Sequence, residues 1–192
     1  MADIVSALEA LATERRPDDA LLSTLLPAYY SELPYEDADN RRRDDLYAAA
    51  AAHLHLGRRR LPGQHLVELL SPELERHGWH SARSVLMFVT DDIPFLVDTV
   101  RLVLDRYDLG IHLLVHPTLV VTRDADSVIT SLRSAAAVEV DDERVEGPGV
   151  LEAWAQIELD RCPSHLAREV ERDVYDAIVE VHRVVDDFDD MQ

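Results

Sequence analysis

The chain has 192 residues, 47% of them hydrophobic and 30% charged, which suffices for one domain with a helical appendage and a buried core. Its formal net charge of −19 excludes the basic surface on which nucleic-acid and anionic-membrane binding depend, and no apolar run approaches the ~20 residues of a membrane span. The acidic, amphipathic N-terminus has no signal-peptide pattern, and a single cysteine, Cys162, leaves no internal disulfide and suits a reducing cytoplasm.

In chain order, Ile4, Val5, Leu8 and Leu11 share a face of a helix over 3–16 that Pro17 ends. Asp18 or Asp19 can cap a second short helix through Leu26, after which Pro27 opens a turn holding Tyr29 and Tyr30. A helix over 43–56 buries Leu46, Ala49, Ala50, His53 and Leu54. Arg41 to Arg43 and Arg58 to Arg60 flank it. They read as solvated helix ends, the second suited to the C-terminal dipole, with an anion or acidic-partner site as the sharper alternative. After the turn Leu61-Pro62-Gly63, His65 to Leu70 reads as a strand, and 73–83 as a short helix or loop around Trp79.

Ser84 to Val89 is a buried strand broken by Asp91 and Asp92. Asp92 is positioned as an N-cap and Pro94 as a first-turn proline of a helix that carries Leu96, Val97, Val100, Val103, Leu104 and Tyr107. Gly110 ends that helix. Ile111 to Thr122 forms a long β-rich run, a turn over 123–127 makes a hairpin, and Val128 to Leu132 returns. Residues 134–149 lack periodicity and predict a mobile loop. Val150 to Leu159 alternates as a half-buried strand: Leu151, Ala153, Ala155, Ile157 and Leu159 face one way, Glu152, Trp154, Gln156 and Glu158 the other. A last helix, introduced by Pro163-Ser164, carries a stripe from Leu166 through Val170, Val174, Ile178, Val181 and Val185 to Phe188.

This order is a ferredoxin-like split β-α-β pattern without its final strand. The edge beside the first strand is then open to His65–Leu70, running antiparallel to it, with two helices on one face of the sheet. The division is an N-terminal helical region over 1–63 and an α+β domain over 64–192.

No residue set converges on catalysis or a metal. His112 and His116, four apart on a strand, lack further ligands at a useful spacing. No serine sits in a nucleophile elbow. Asp91 and Asp92 as paired acids are better explained by capping and turn formation. All 19 basic residues are arginine. The glycines, at 57, 63, 78, 110, 147 and 149, do not form the GxGxxG of a dinucleotide turn.

The blocks YYSELPYEDADNRRRDDLYAAAAAHLHLGRRRLPG, HGWHSARSVLMFVTDDIPFLVDTV, HLLVHP and LEAWAQIELDR resemble the N-terminal region of the large bacterial NAD-specific glutamate dehydrogenases over most of 27–190. The resemblance implies an ACT-like α+β region with no cofactor of its own, in a parent chain that uses NAD to deaminate glutamate oxidatively. It implies a non-catalytic regulatory or assembly module whose partners are other domains of the parent chain and further copies in a homo-oligomer. It also implies a cytoplasmic location. ACT modules bind an amino-acid effector at a D-x-P-G-L-like turn. The matching residues are Asp92, Ile93, Pro94, Phe95 and Leu96, with Phe95 in place of glycine and expected to fill the ligand's space and pack inward; the candidate effector-binding residues are then Asp91, Asp92, Ile93, Pro94 and Phe95.

Overall fold

In the computed structural model, the described residues are 2–31, 33–39, 41–136 and 149–189. Four helices come first: α1 (Ala2–Arg15), α2 (Ala20–Tyr29), α3 (Tyr35–Asp39) and α4 (Arg43–Gly57). They are followed by β1 (Leu66–Leu70), α5 (Leu74–His77), β2 (Ser84–Asp91), α6 (Leu96–Arg106), β3 (Ile111–Val115), β4 (Thr118–Arg123), β5 (Ile129–Ser134), β6 (Val150–Leu159) and α7 (Ala167–Asp189). Most of the expected 134–149 loop and the side chain of Phe188 lie outside the described residues.

The strands make one antiparallel sheet in the order β1-β2-β6-β4-β5, with β3 beside β6 as well. β6 is long enough to hold two strands in line on one side. Its residues from Gln156 to Leu159 pair with β3, and those from Val150 to Ala153 with β4. β1 occupies the edge beside β2 and runs antiparallel to it, in the place a ferredoxin-like fold gives its missing final strand. The fold is thus the expected ACT-like α+β arrangement.

The period-2 alternation of β2 and β6 divides the core into two layers. Leu86, Phe88, Ala153, Ala155, Ile157 and Leu159 pack against Val100 and Leu104 of α6 and against Val170, Val174 and Ile178 of α7. On the other face Val89, Leu113, Leu119, Val121 and Trp154 pack against α1, α2 and α4 through Leu8, Leu22, Leu26, Tyr30, Leu46 and Leu54. β6 is therefore buried on both faces from Glu152 to Ile157, not half-buried. Its polar-looking face meets the N-terminal helices instead of water.

Three local expectations change. Pro27 lies inside α2, which runs to Tyr29, because burial of Tyr29 and Tyr30 holds the last turn in place despite the missing N–H. The 111–122 run splits at His116-Pro117, where proline has no ladder donor, although Trp154 N still donates to Pro117 O at 3.1 Å. The left-handed residue after α6 is Asp108, φ 54°, and not Gly110. At Gly110 a Cβ would lie 2.7 Å from Asp160 Oδ2, which accepts from Gly110 N at 3.0 Å, so a larger residue there would push that carboxylate aside.

Candidate functional site

β2 ends at Asp91, and Asp92 N donates to Leu151 O at 3.1 Å, which ties the turn to the start of β6. α6 begins only at Leu96. Its N-cap position is Phe95, and no side chain caps the helix. Asp92 is thus three residues ahead of the N-cap, too far back to reach the second or third amide of the helix. Pro94 sits in the turn before α6 and not in its first turn. Phe95 has φ 69° and ψ 3°, so the left-handed conformation natural to glycine is kept by a residue with a large side chain. For an L-residue that conformation costs about 1–2 kcal/mol. Phe95 is also 69% exposed, against the expectation that it packs inward. It borders an open depression of about 460 Å³ with Ile93, Leu96, Asp98, Arg101 and Leu114.

Asp91 turns away from that surface into a buried ion cluster. Arg60, 3% exposed, places Nη2 2.5 Å from Asp91 Oδ1 and 3.0 Å from Glu152 Oε1. Arg123 donates from Nε to Glu152 Oε1 and from Nη2 to Oε2, both at 2.9 Å. The Trp154 indole donates to Glu152 Oε2 at 3.0 Å. Arg123 also donates to Gly57 O at 2.9 Å and Arg60 to Gln64 O at 2.8 Å. The cluster therefore fastens the end of α4 and the 58–64 connection to the sheet. A buried carboxylate with this many charged donors is costly to break, because removal of one partner strands the other charges.

Further along the same face of β6, Gln156 Oε1 lies 2.9 Å from Tyr29 Oη, which is 2.6 Å from His53 Nδ1, and His53 Nε2 is 3.1 Å from Phe88 O. Phe88 O can only accept, so His53 carries its proton on Nε2 and accepts at Nδ1 from Tyr29. Tyr29 has one proton, already given to His53, so Gln156 must turn its NH2 toward the hydroxyl. Burial pushes the Tyr29 pKa up and holds that of His53 down at about 3, which keeps both neutral. At the end of β6, Glu158 accepts from Arg41 Nη2 at 2.8 Å.

The Arg41–Arg43 and Arg58–Arg60 clusters thus each send one arginine to a β6 carboxylate, which their reading as solvated helix ends missed. The signal was Trp154 in the alternation of β6: a tryptophan between Glu152 and Gln156 on a nominally wet face calls for a cover. His112, weighed as a ligand, pairs with Asp160 Oδ1 at 2.7 Å. Among the described residues no three His, Cys, Asp or Glu converge as a metal-holding group, and no helix is long and apolar enough to cross a membrane. The polar groups of the β6 face are matched one to another, an arrangement that holds helices on a sheet. The Ile93–Phe95 part of the turn, apolar and with Pro94 and Phe95 exposed, is suited to contact.

A family model described as glutamate dehydrogenase, ACT1 domain, matches residues 25–182. The NAD-specific glutamate dehydrogenase of Halomonas elongata is 31% identical over 194 residues, covering 99% of this chain and 12% of the relative. That of Pseudomonas aeruginosa is 28% identical over 195 residues, covering 100% of this chain and 12% of the relative. The chain therefore spans about an eighth of the length of these relatives. No solved structure matches.

Proposed function

The chain belongs to the glutamate dehydrogenase ACT1 domain family, and from that premise we propose that it is a non-catalytic N-terminal assembly and regulatory module of a large NAD-specific glutamate dehydrogenase. In this reading the parent enzyme deaminates L-glutamate to 2-oxoglutarate with NAD in the cytoplasm, and the reaction takes place in other domains. The carrying observation is Phe95, an aromatic held at φ 69° with 69% of its surface exposed. The isolated fold gains nothing from an apolar side chain in water at a strained position; a surface that covers it in the parent chain does. Pro94 beside it is exposed as well, and Val150 and Leu151, linked to this turn through Asp92, are 56% and 39% exposed.

The experiment is Phe95→Asp in the full-length parent enzyme. Light scattering should show impaired assembly, or assays a lowered turnover, while the melting temperature of the 192-residue chain alone stays within a few degrees. Full-length enzyme with unchanged assembly and turnover would defeat the proposal.

A second reading rests on the depression at the same turn, where Asp98 and Arg101 offer one charge of each sign to an amino-acid effector. Calorimetry with aspartate, glutamate and other amino acids separates the two. Specific submillimolar binding abolished by Asp98→Ala and Arg101→Ala establishes the effector reading, and its absence in the full-length enzyme removes it.

A further inference from the structure

A cavity of about 540 Å³ opens between the start of α4, the segment ahead of β2 and the Glu158 end of β6. It is at the other end of β6 from Leu151, where the Phe95 turn is attached. Three guanidinium groups line it, those of Arg41, Arg42 and Arg83. Arg41 is committed to Glu158 by hydrogen bonds from Nε and Nη2. Arg83 is not: its Nη1 is 3.7 Å from the same carboxylate, beyond hydrogen-bond distance, and its side chain is 42% exposed. Arg42, 77% exposed, is 3.6 Å from Asp44. With Arg41 and Glu158 cancelling, Arg42 and Arg83 face one lining carboxylate, Asp45, and His80 adds an imidazole.

α4 also starts here, with Arg42 at its N-cap, no side chain accepting from its first amides, and Asp44 and Asp45 in its first turn offsetting part of the positive dipole end. Trp79 lines the cavity at 5% exposure, with its Nε1 buried out of reach of an occupant. The cavity thus sets three guanidinium groups against two carboxylates, in a chain whose net charge is −19.

The geometry points to this cavity as the binding site of a small oxyanion, a carboxylate or a phosphate ester, held by Arg42 and Arg83 with the α4 amides. Guanidinium forks match both oxyanions bidentately. This site is independent of the Phe95 turn, so the two can fail separately. Asp45 is the group that opposes an anion. Burial raises its pKa first, and Asp44 and Glu158 add to the rise against the lowering by Arg42 and His80, so its charge is the more easily given up when an anion enters.

The test is to titrate the 192-residue chain at low ionic strength with inorganic phosphate and, separately, with succinate, by calorimetry and tryptophan fluorescence. Saturable binding is expected, weakened at least about tenfold by Arg83→Gln and by Arg42→Gln. Both are exposed enough to leave the melting temperature unchanged, and Arg101→Gln, at the other site, should leave binding intact. Binding of phosphate alone identifies a phosphorylated ligand, and of succinate alone a carboxylate. Binding of both identifies a general oxyanion site. Lack of saturable binding by either probe, or binding equally strong in the two arginine variants, overturns the inference.

Discussion

At Phe95 two demands on one residue conflict. The backbone of the β2–α6 turn needs a left-handed residue, and glycine fills such positions without steric cost. Phenylalanine there is strained and exposed. Phe95→Gly should therefore stabilise the isolated chain by about 1 kcal/mol, the relief of a left-handed L-residue less the extra chain entropy of glycine. Denaturant unfolding measures this, and a variant that unfolds at lower denaturant than wild type would show that Phe95 makes a stabilising contact. The same substitution should impair the parent enzyme if the side chain is covered there. Sequence could supply half of this. It showed that a large residue stood where a glycine was expected, and inward packing was the natural inference. The outward direction depends on φ, which no residue pattern reports, and the same holds for the late start of α6 that leaves Asp92 without a helix to cap.

Among the elements, β6 is the one that joins the two helical layers. The edge of the sheet was legible, with β1 placed beside β2, because a buried apolar run such as Ser84–Val89 needs neighbours on both sides. The cover over Glu152, Trp154 and Gln156 was less so. Alternation marks two faces but does not say that a polar face is wet, and arginines 92 and 117 residues upstream in sequence supply the counter-charges. Close approach of α4 is encoded in Gly57, where a Cβ would lie 2.3 Å from the Trp154 ring. The contact among α2, α4, β2 and β6 passes through His53, whose folded pKa of about 3 lies below its ordinary 6.5. Because burial holds His53 neutral, the unfolded chain binds a proton between those values that the folded chain does not. Stability is then fully present above pH 6.5 and falls as the pH drops, by about 2 kcal/mol between pH 6.5 and pH 5 from this group. His65, lowered by burial and by the charge of His182, acts with the same sign. The many surface carboxylates titrate too, so the measured quantity is the difference in pH slope between wild type and His53→Gln. A His53 imidazole resonance titrating near 6.5 in the folded chain would refute the argument.

For the whole molecule, the remaining matter is whether this chain performs chemistry unaided. The charged groups buried in it are engaged with one another: Glu152 with Arg60, Arg123 and Trp154, and Glu158 with Arg41. A general acid or base instead needs a perturbed group that faces substrate, and His53, the buried imidazole, is enclosed by Tyr29, Phe88 and Trp154. All 19 basic residues are arginine, so no lysine amine is present to form a Schiff base or to serve as an acid, and a guanidinium cannot give up its proton at neutral pH. Hydride transfer to a dinucleotide uses a glycine-rich turn at a helix start. Among the described residues the left-handed glycines, Gly63 and Gly78, stand singly: one precedes β1 and the other follows the four-residue α5. The pure 192-residue chain, given glutamate and NAD, should therefore form no NADH, while the full-length parent enzyme should do so under the same conditions. Absorbance at the NADH band reads this directly. A rate proportional to the concentration of the pure chain, and retained by a preparation freed of host dehydrogenase, would place the reaction inside this domain and overturn the division of labour proposed for it.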